Sequence, residues 1–95
     1  MSDLTTEALV VECRQVAEEK AVAMGNAGVA DRAALYVGLK FEVCTNSTFE
    51  CQDPGSGGSL DLLDTVLDVV EQRNPVEFFP HRDGNGKQTI YWHAV

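Results

Sequence analysis

The sequence predicts a single α+β domain over residues 1–95: an antiparallel four-stranded sheet, built from two hairpins, with two main helices on one face. Two long segments, one near the N-terminus and one after residue 58, repeat apolar residues at helical spacing. Between them, residues 39–44 alternate apolar and polar side chains at the period of a half-buried strand. A glycine-bearing turn at Asp83-Gly84-Asn85-Gly86 then separates two aromatic-rich segments, as in a hairpin. The expected element order is α-(short α)-β-β-α-β-β. With 95 residues and 44% hydrophobic content, the chain can build one core without disulfide or metal staples.

The first helix should start at Thr5 or Thr6, either of which can cap it, and run to Met24, with Gly25-Asn26 and Gly28 as stop signals. Leu9, Val10, Cys13, Val16, Ala17, Ala21 and Met24 form its core face, and the Lys20 stem snorkels outward from it. A second, thinner stripe of Leu4, Ala8, Val11 and Val22 lies roughly opposite. A lone helix on a sheet has no use for two apolar stripes. Either the following segment folds back over the second stripe or another copy of the chain covers it, which makes these four residues a candidate homodimer interface.

A short helix is expected over residues 29–35, although 36–39 lean towards strand. Strands follow at 39–44 and 48–51 around a turn at 45–48. If Ser47-Thr48 were a two-residue turn, Cys44 and Cys51 would face each other across it. A Gly/Ser loop over residues 52–58 leads to Ser59, a good N-cap, and the third helix should stop at Asn74-Pro75. The closing hairpin should use residues 76–81 and 88–95, with Pro80 marking an edge strand or a break in pairing.

The third helix carries the most informative pattern. At 100° per residue, Leu60, Leu63, Val66, Leu67 and Val70 share one side, with Leu62 and Val69 at its margin. Asp61, Asp64, Asp68 and Glu71 share the other, forming three like-charge pairs that cost about 0.2–0.5 kcal/mol each. No Lys or Arg interrupts that stripe. It is either a solvated face or a docking surface for a basic partner. Successive carboxylates on it rise by about 4.5–6 Å along the axis, comparable with the spacing of phosphates along a nucleic-acid strand.

Composition narrows the function classes. A net charge of −8 repels phosphate backbones and anionic membranes and attracts basic protein surfaces, so direct nucleic-acid and membrane binding are not expected. The N-terminal residues lack the basic start of a signal peptide and the cysteine count is odd, as expected of a cytoplasmic chain. Asn46-Ser47-Thr48 is then a polar turn and not a glycosylation acceptor.

Chemical motifs are scarce. The loop Gly55-Ser56-Gly57-Gly58-Ser59 lacks the Lys-Ser/Thr of a phosphate loop, and Asp53 and Asp61 flank it with the wrong charge. The run from Asp83 fails as a calcium loop because Lys87, Gln88 and Ala94 occupy ligand and turn positions. Cys13, Cys44, Cys51, His81 and His93 show no metal-ligand spacing, and a Cys51–His81 nucleophile pair has nothing to orient it. Neither a catalytic residue, a metal nor a cofactor is expected, and the chain reads as a non-enzyme.

In the last hairpin, alternation sends Phe78 and Phe79 to opposite faces, and likewise Tyr91 and Trp92. Phe78/Tyr91 or Phe79/Trp92 should then face away from the helices. Size and charge match the class of small acidic proteins that neutralise basic enzymes: nuclease-toxin immunity proteins, anti-restriction and anti-CRISPR proteins, and other DNA mimics. The leading expectation is an inhibitor or binding protein whose acidic helix face docks on a basic, nucleic-acid-handling protein, an analogy of class. The rival is an assembly subunit that oligomerises through the first helix and the C-terminal hairpin.

Overall fold

A computed structural model describes residues 4–52, 59–82 and 86–95. It contains α1 (Thr6–Asn26), α2 (Ala30–Gly38), β1 (Lys40–Val43), β2 (Thr48–Gln52), α3 (Ser59–Arg73), β3 (Val76–Arg82) and β4 (Lys87–Ala94). The four strands form one antiparallel sheet in the order β1-β2-β4-β3. Because β4 pairs antiparallel with both β2 and β3, the latter two run in the same direction and α3 connects them. The result is a split β-α-β unit, β2-α3-β3, with β4 inserted between its two strands. The α+β class and element order are those expected from the sequence.

Local chemistry accounts for the helix ends. Thr5 is extended (φ −125°, ψ 159°) and its hydroxyl accepts the Ala8 N–H at 3.1 Å, capping α1. The helix runs two residues beyond Met24, through Gly25 and Asn26, before Gly28 takes the left-handed conformation at φ +81°. Only there does the turn require a glycine. The second helix reaches Gly38 where the sequence favoured a stop at 35, because a further helical turn places Tyr36 in the core. The capping role expected of Ser59 and the glycine-rich loop before it fall outside the described side chains, as do residues 83–85 of the last turn.

One core lies between the helices and the inner sheet face. Leu9, Cys13 and Val16 of α1 and Leu62, Val66 and Val70 of α3 meet Phe41, Phe49, Cys51 and Ile90. Phe49 sits at its centre, edge-on to Phe78 at 5.7 Å and tilted against Phe41 at 6.2 Å. Far-apart segments are tied by one hydroxyl. Thr6 accepts from Trp92 Nε1–H at 2.9 Å and donates to the Asn46 carbonyl at 2.6 Å. Those bonds join the start of α1, the end of β4 and the first hairpin turn.

That turn corrects one sequence expectation. Cys44 and not Cys51 stands near Thr48, since the Cys44 and Thr45 N–H groups both donate to the Thr48 carbonyl. The longer turn is held by a 2.6 Å hydrogen bond between the Thr45 and Thr48 hydroxyls. Cys51 therefore pairs with Phe41 and points into the core, while Cys44 is exposed.

Both outer strands are covered by a helix side chain. Arg14 of α1 donates to the Phe41 carbonyl on β1 at 2.7 Å. On β3, the Phe78 N–H donates to the Glu71 carboxylate at 2.8 Å. In an antiparallel ladder alternate residues send their backbone groups outward. Pro80, two residues beyond Phe78, thus has its missing N–H on the unpaired side, where no ladder bond is lost. The edge position expected from Pro80 is observed.

Candidate functional site

The third helix buries Leu62, Leu63, Val66, Leu67 and Val70, and half-buries Val69. Leu62, placed at the margin by spacing alone, is fully enclosed because α3 nests into the angle between α1 and the sheet. The opposite side carries Asp64 and Asp68, both exposed. Glu71 is half-buried at the β3 side of the same face, where the backbone of Phe78 holds its carboxylate. The Asp61 side chain lies outside the described residues. Two of the four acidic positions are thus displayed to solvent and a third also serves the sheet edge.

The acidic residues of α1 do not simply extend this stripe. Between α1 and α3 runs a groove lined by Val16, Lys20, Val69, Gln72 and an ion pair between Glu19 and Arg73 at 3.0 Å. The Arg73 guanidinium, by hydrogen bond and then by charge, holds the Glu19 carboxyl below the usual carboxylate range. This pair is solvated on both sides and contributes little to stability. It does place a neutralised seam between the carboxylates of α1 and those of Asp64 and Asp68.

Charge is divided unequally between the two layers. The three helices hold nine acidic and four basic residues, and the strands hold three of each. On the sheet, Glu50 lies 3.9 Å from Lys87, and Glu77 lies 3.7 Å from His93. Among the structured elements, the excess of acid therefore lies on the helical side.

The second stripe of α1 divides as well. Leu4 packs against the core, whereas Ala8, Val11 and Val22 face solvent, the two valines at 48% and 59% exposure. The second helix folds back onto α1 but on the flank that carries Ala17, so it leaves these residues open.

The aromatic expectation for the last hairpin needs correction. The β3–β4 register pairs Phe78 with Trp92 and Phe79 with Tyr91. Each pair shares a face, so Phe78 and Trp92 turn inward together and Phe79 and Tyr91 outward together. Alternation alone gave the parity within each strand, and only the register could set one strand against the other.

Reactive chemistry is not assembled around the thiols. No disulfide joins any two of the three cysteines. Burial, aided by Cys51 and Glu12, pushes the Cys13 thiol far up, and Cys44 is raised by desolvation and then by its hydrogen bond to Glu50. Cys51 points to the inner sheet face and His81 to the outer, so the pair weighed from sequence is separated. Among the described residues, no three His, Cys, Asp or Glu side chains gather to hold a metal ion, and no helix is long and apolar enough to cross a membrane.

What the sequence missed are the roles of Arg14, Glu71 and Thr6. Arg14 and Thr6 act on backbone or indole groups remote in sequence, and Glu71 on a backbone N–H of the next strand. Helical or strand spacing carries no trace of these contacts. No protein-family model, curated protein or solved structure matches this chain.

Proposed function

We propose that this protein is a cytoplasmic, non-enzymatic acidic binding module that docks the outer face of α3 on a basic, nucleic-acid-handling protein and inhibits it, in the manner of a DNA mimic. The carrying observation is the segregation of charge. The helical layer holds the entire excess of acid among the structured elements, and Asp64 and Asp68 stand exposed on it one helical turn apart. A partner that grips phosphates with Lys and Arg would find in this row anions at comparable spacing. Glu71 takes part as a fixed end of the row, its carboxylate oriented by Phe78.

The experiment uses the Asp64→Asn/Asp68→Asn double variant and whichever basic protein the wild type captures from its native host. The variant should associate more slowly, the deficit should shrink as salt rises, and duplex DNA should compete with the wild type for the partner. Equal affinity of both proteins at low and high salt would discard docking through α3.

A further inference from the structure

We propose that the open face of the sheet is a self-association surface, through which two copies of this chain pack back to back. This inference is independent of the docking proposed for α3. Phe79 and Tyr91 are direct neighbours on β3 and β4, 46% and 50% exposed, and the His93 ring stacks on Phe79 at 5.2 Å. Together they form an aromatic platform on the side away from the helices. Lys87 stands beside Glu50, so one of the carboxylates around the platform is matched, and His93 lies 3.7 Å from Glu77.

Electrostatics selects a second copy as the occupant. Each molecule carries −8, and two helical layers brought together would face like charge with like charge. The open face of the sheet carries Glu42, Glu50 and Glu77 with Lys40 and Lys87, Arg82 being in register with the buried Gln88. Copies therefore meet there with far less repulsion than through helices that hold nine acids against four bases. Face-to-face sheets pack about 10 Å apart, and the helical layers would lie a further layer out on each side. Their separation then exceeds the Debye length of about 8 Å at physiological salt. The exposed spine of α1, with Val11 and Val22, lies within the acidic layer and has Glu18 between the two valines, so it is the poorer dimer surface.

Size predicts the strength. Four strands spaced by about 4.8 Å, the longest about 26 Å in length, present a face of about 450 Å². Two copies would bury about 900 Å² in total, below the size of stable specific interfaces and in the range of weak ones. The dimer should therefore be weak, with half-association in the range of tens of micromolar.

Sedimentation equilibrium from micromolar to hundreds of micromolar tests this on the full chain. The wild type should pass from monomer to dimer. Tyr91→Thr, which keeps a strand-forming residue at an outward position, should weaken association at least about tenfold, a loss equivalent to about 1.4 kcal/mol. Tyr91→Glu should abolish it, with circular dichroism and thermal melting confirming the fold of both variants. Val11→Glu should leave it unchanged, and added salt should not weaken it. A wild type that stays monomeric at hundreds of micromolar overturns the proposal. So does dissociation by Val11→Glu with Tyr91→Thr unaffected, which would assign the contact to α1. Loss of affinity for a captured protein in Tyr91→Thr, with no dimer in the wild type, would assign the face to that protein instead.

Discussion

The helical layer and the sheet layer are built from the same chain yet present opposite surfaces. Nine acidic residues stand against four basic ones on the helices, whereas the strands balance three against three and expose an aromatic pair. A net charge of −8 is therefore not a uniform coat that keeps the protein dispersed. Within the structured elements its excess, nine acids against four bases, lies on the helices, so the docking surface and the self-association surface proposed above lie on different sides. Between the layers lies the core that keeps them apart, and the carboxylates of the helical side are themselves unequal. Glu71 is bonded to the edge of the sheet, while Asp64 and Asp68 are displayed.

The largest effect expected comes from the boundary between the layers. Phe49 is fully enclosed and touches both Phe41 and Phe78, so Phe49→Ala should cost about 3–5 kcal/mol in chemical denaturation. On the opposite face Tyr91→Thr should stay within about 0.5 kcal/mol of wild type under conditions where the chain is monomeric. Comparable losses from both would mean that the outer face is not open in solution, which would break the distinction between the two sides.

Next in size is the carboxylate that joins the layers. Glu71→Ala removes the acceptor of the Phe78 N–H and should cost about 1–2 kcal/mol, less the small relief of its repulsion with Asp68. Hydrogen exchange at Phe78 should accelerate. If Glu71→Ala is neutral and Phe78 remains protected, the carboxylate is only part of the displayed row.

The interior of the helical side also sets a pH response. The Cys13 thiol is pushed up mainly by burial, so the folded chain keeps a proton that the unfolded chain loses above about pH 8.5. The native state binds more protons over that alkaline range, and stability falls as pH rises, by up to about 1.4 kcal/mol per pH unit. Below the unfolded thiol value both states are protonated and this contribution is fully present. Cys13→Val, which keeps an apolar side chain in the site, should flatten the alkaline limb in urea titrations at pH 8 and pH 10. An unaltered slope would assign that limb to other groups.

How much of this was legible before the fold was known depends on the range of the interaction. Periodicity placed the core face of α1, the buried side of α3 and the four strands to within a few residues, since each pattern is local. Pro80 announced an outer strand because a missing N–H is a local fact. The contacts that decide surface chemistry are not local. Thr6 and Trp92 meet from opposite ends of the chain, and Arg14 reaches Phe41 across the helix–sheet junction. Which aromatics look outward depended on register, which the unaided alternation of two strands does not fix. Acidity could be counted from composition, but its excess on the helices over the strands required knowing which elements share a side.

The smallest stability effect and the sharpest functional one belong to the same variant. Asp64→Asn/Asp68→Asn removes a member of each like-charge pair in the stripe, a gain of up to about 1 kcal/mol. Loss of Asp64 near the positive end of α3 offsets part of that gain, because the helix dipole favours a carboxylate there. Thermal melting should thus move little, and upward if at all. The matched control sits on the other layer: Glu42→Gln/Glu50→Gln makes the same change in net charge but removes the Glu50 partner of Lys87. If the helical side is the docking face, only the first variant should slow association with a captured basic partner, and the second should bind as the wild type does. Equal slowing in both would show that the partner responds to total charge and not to this face. Salt separates the cases further, since a local row of contacts leaves a residual deficit in the dissociation rate at high ionic strength, whereas long-range attraction alone is screened away.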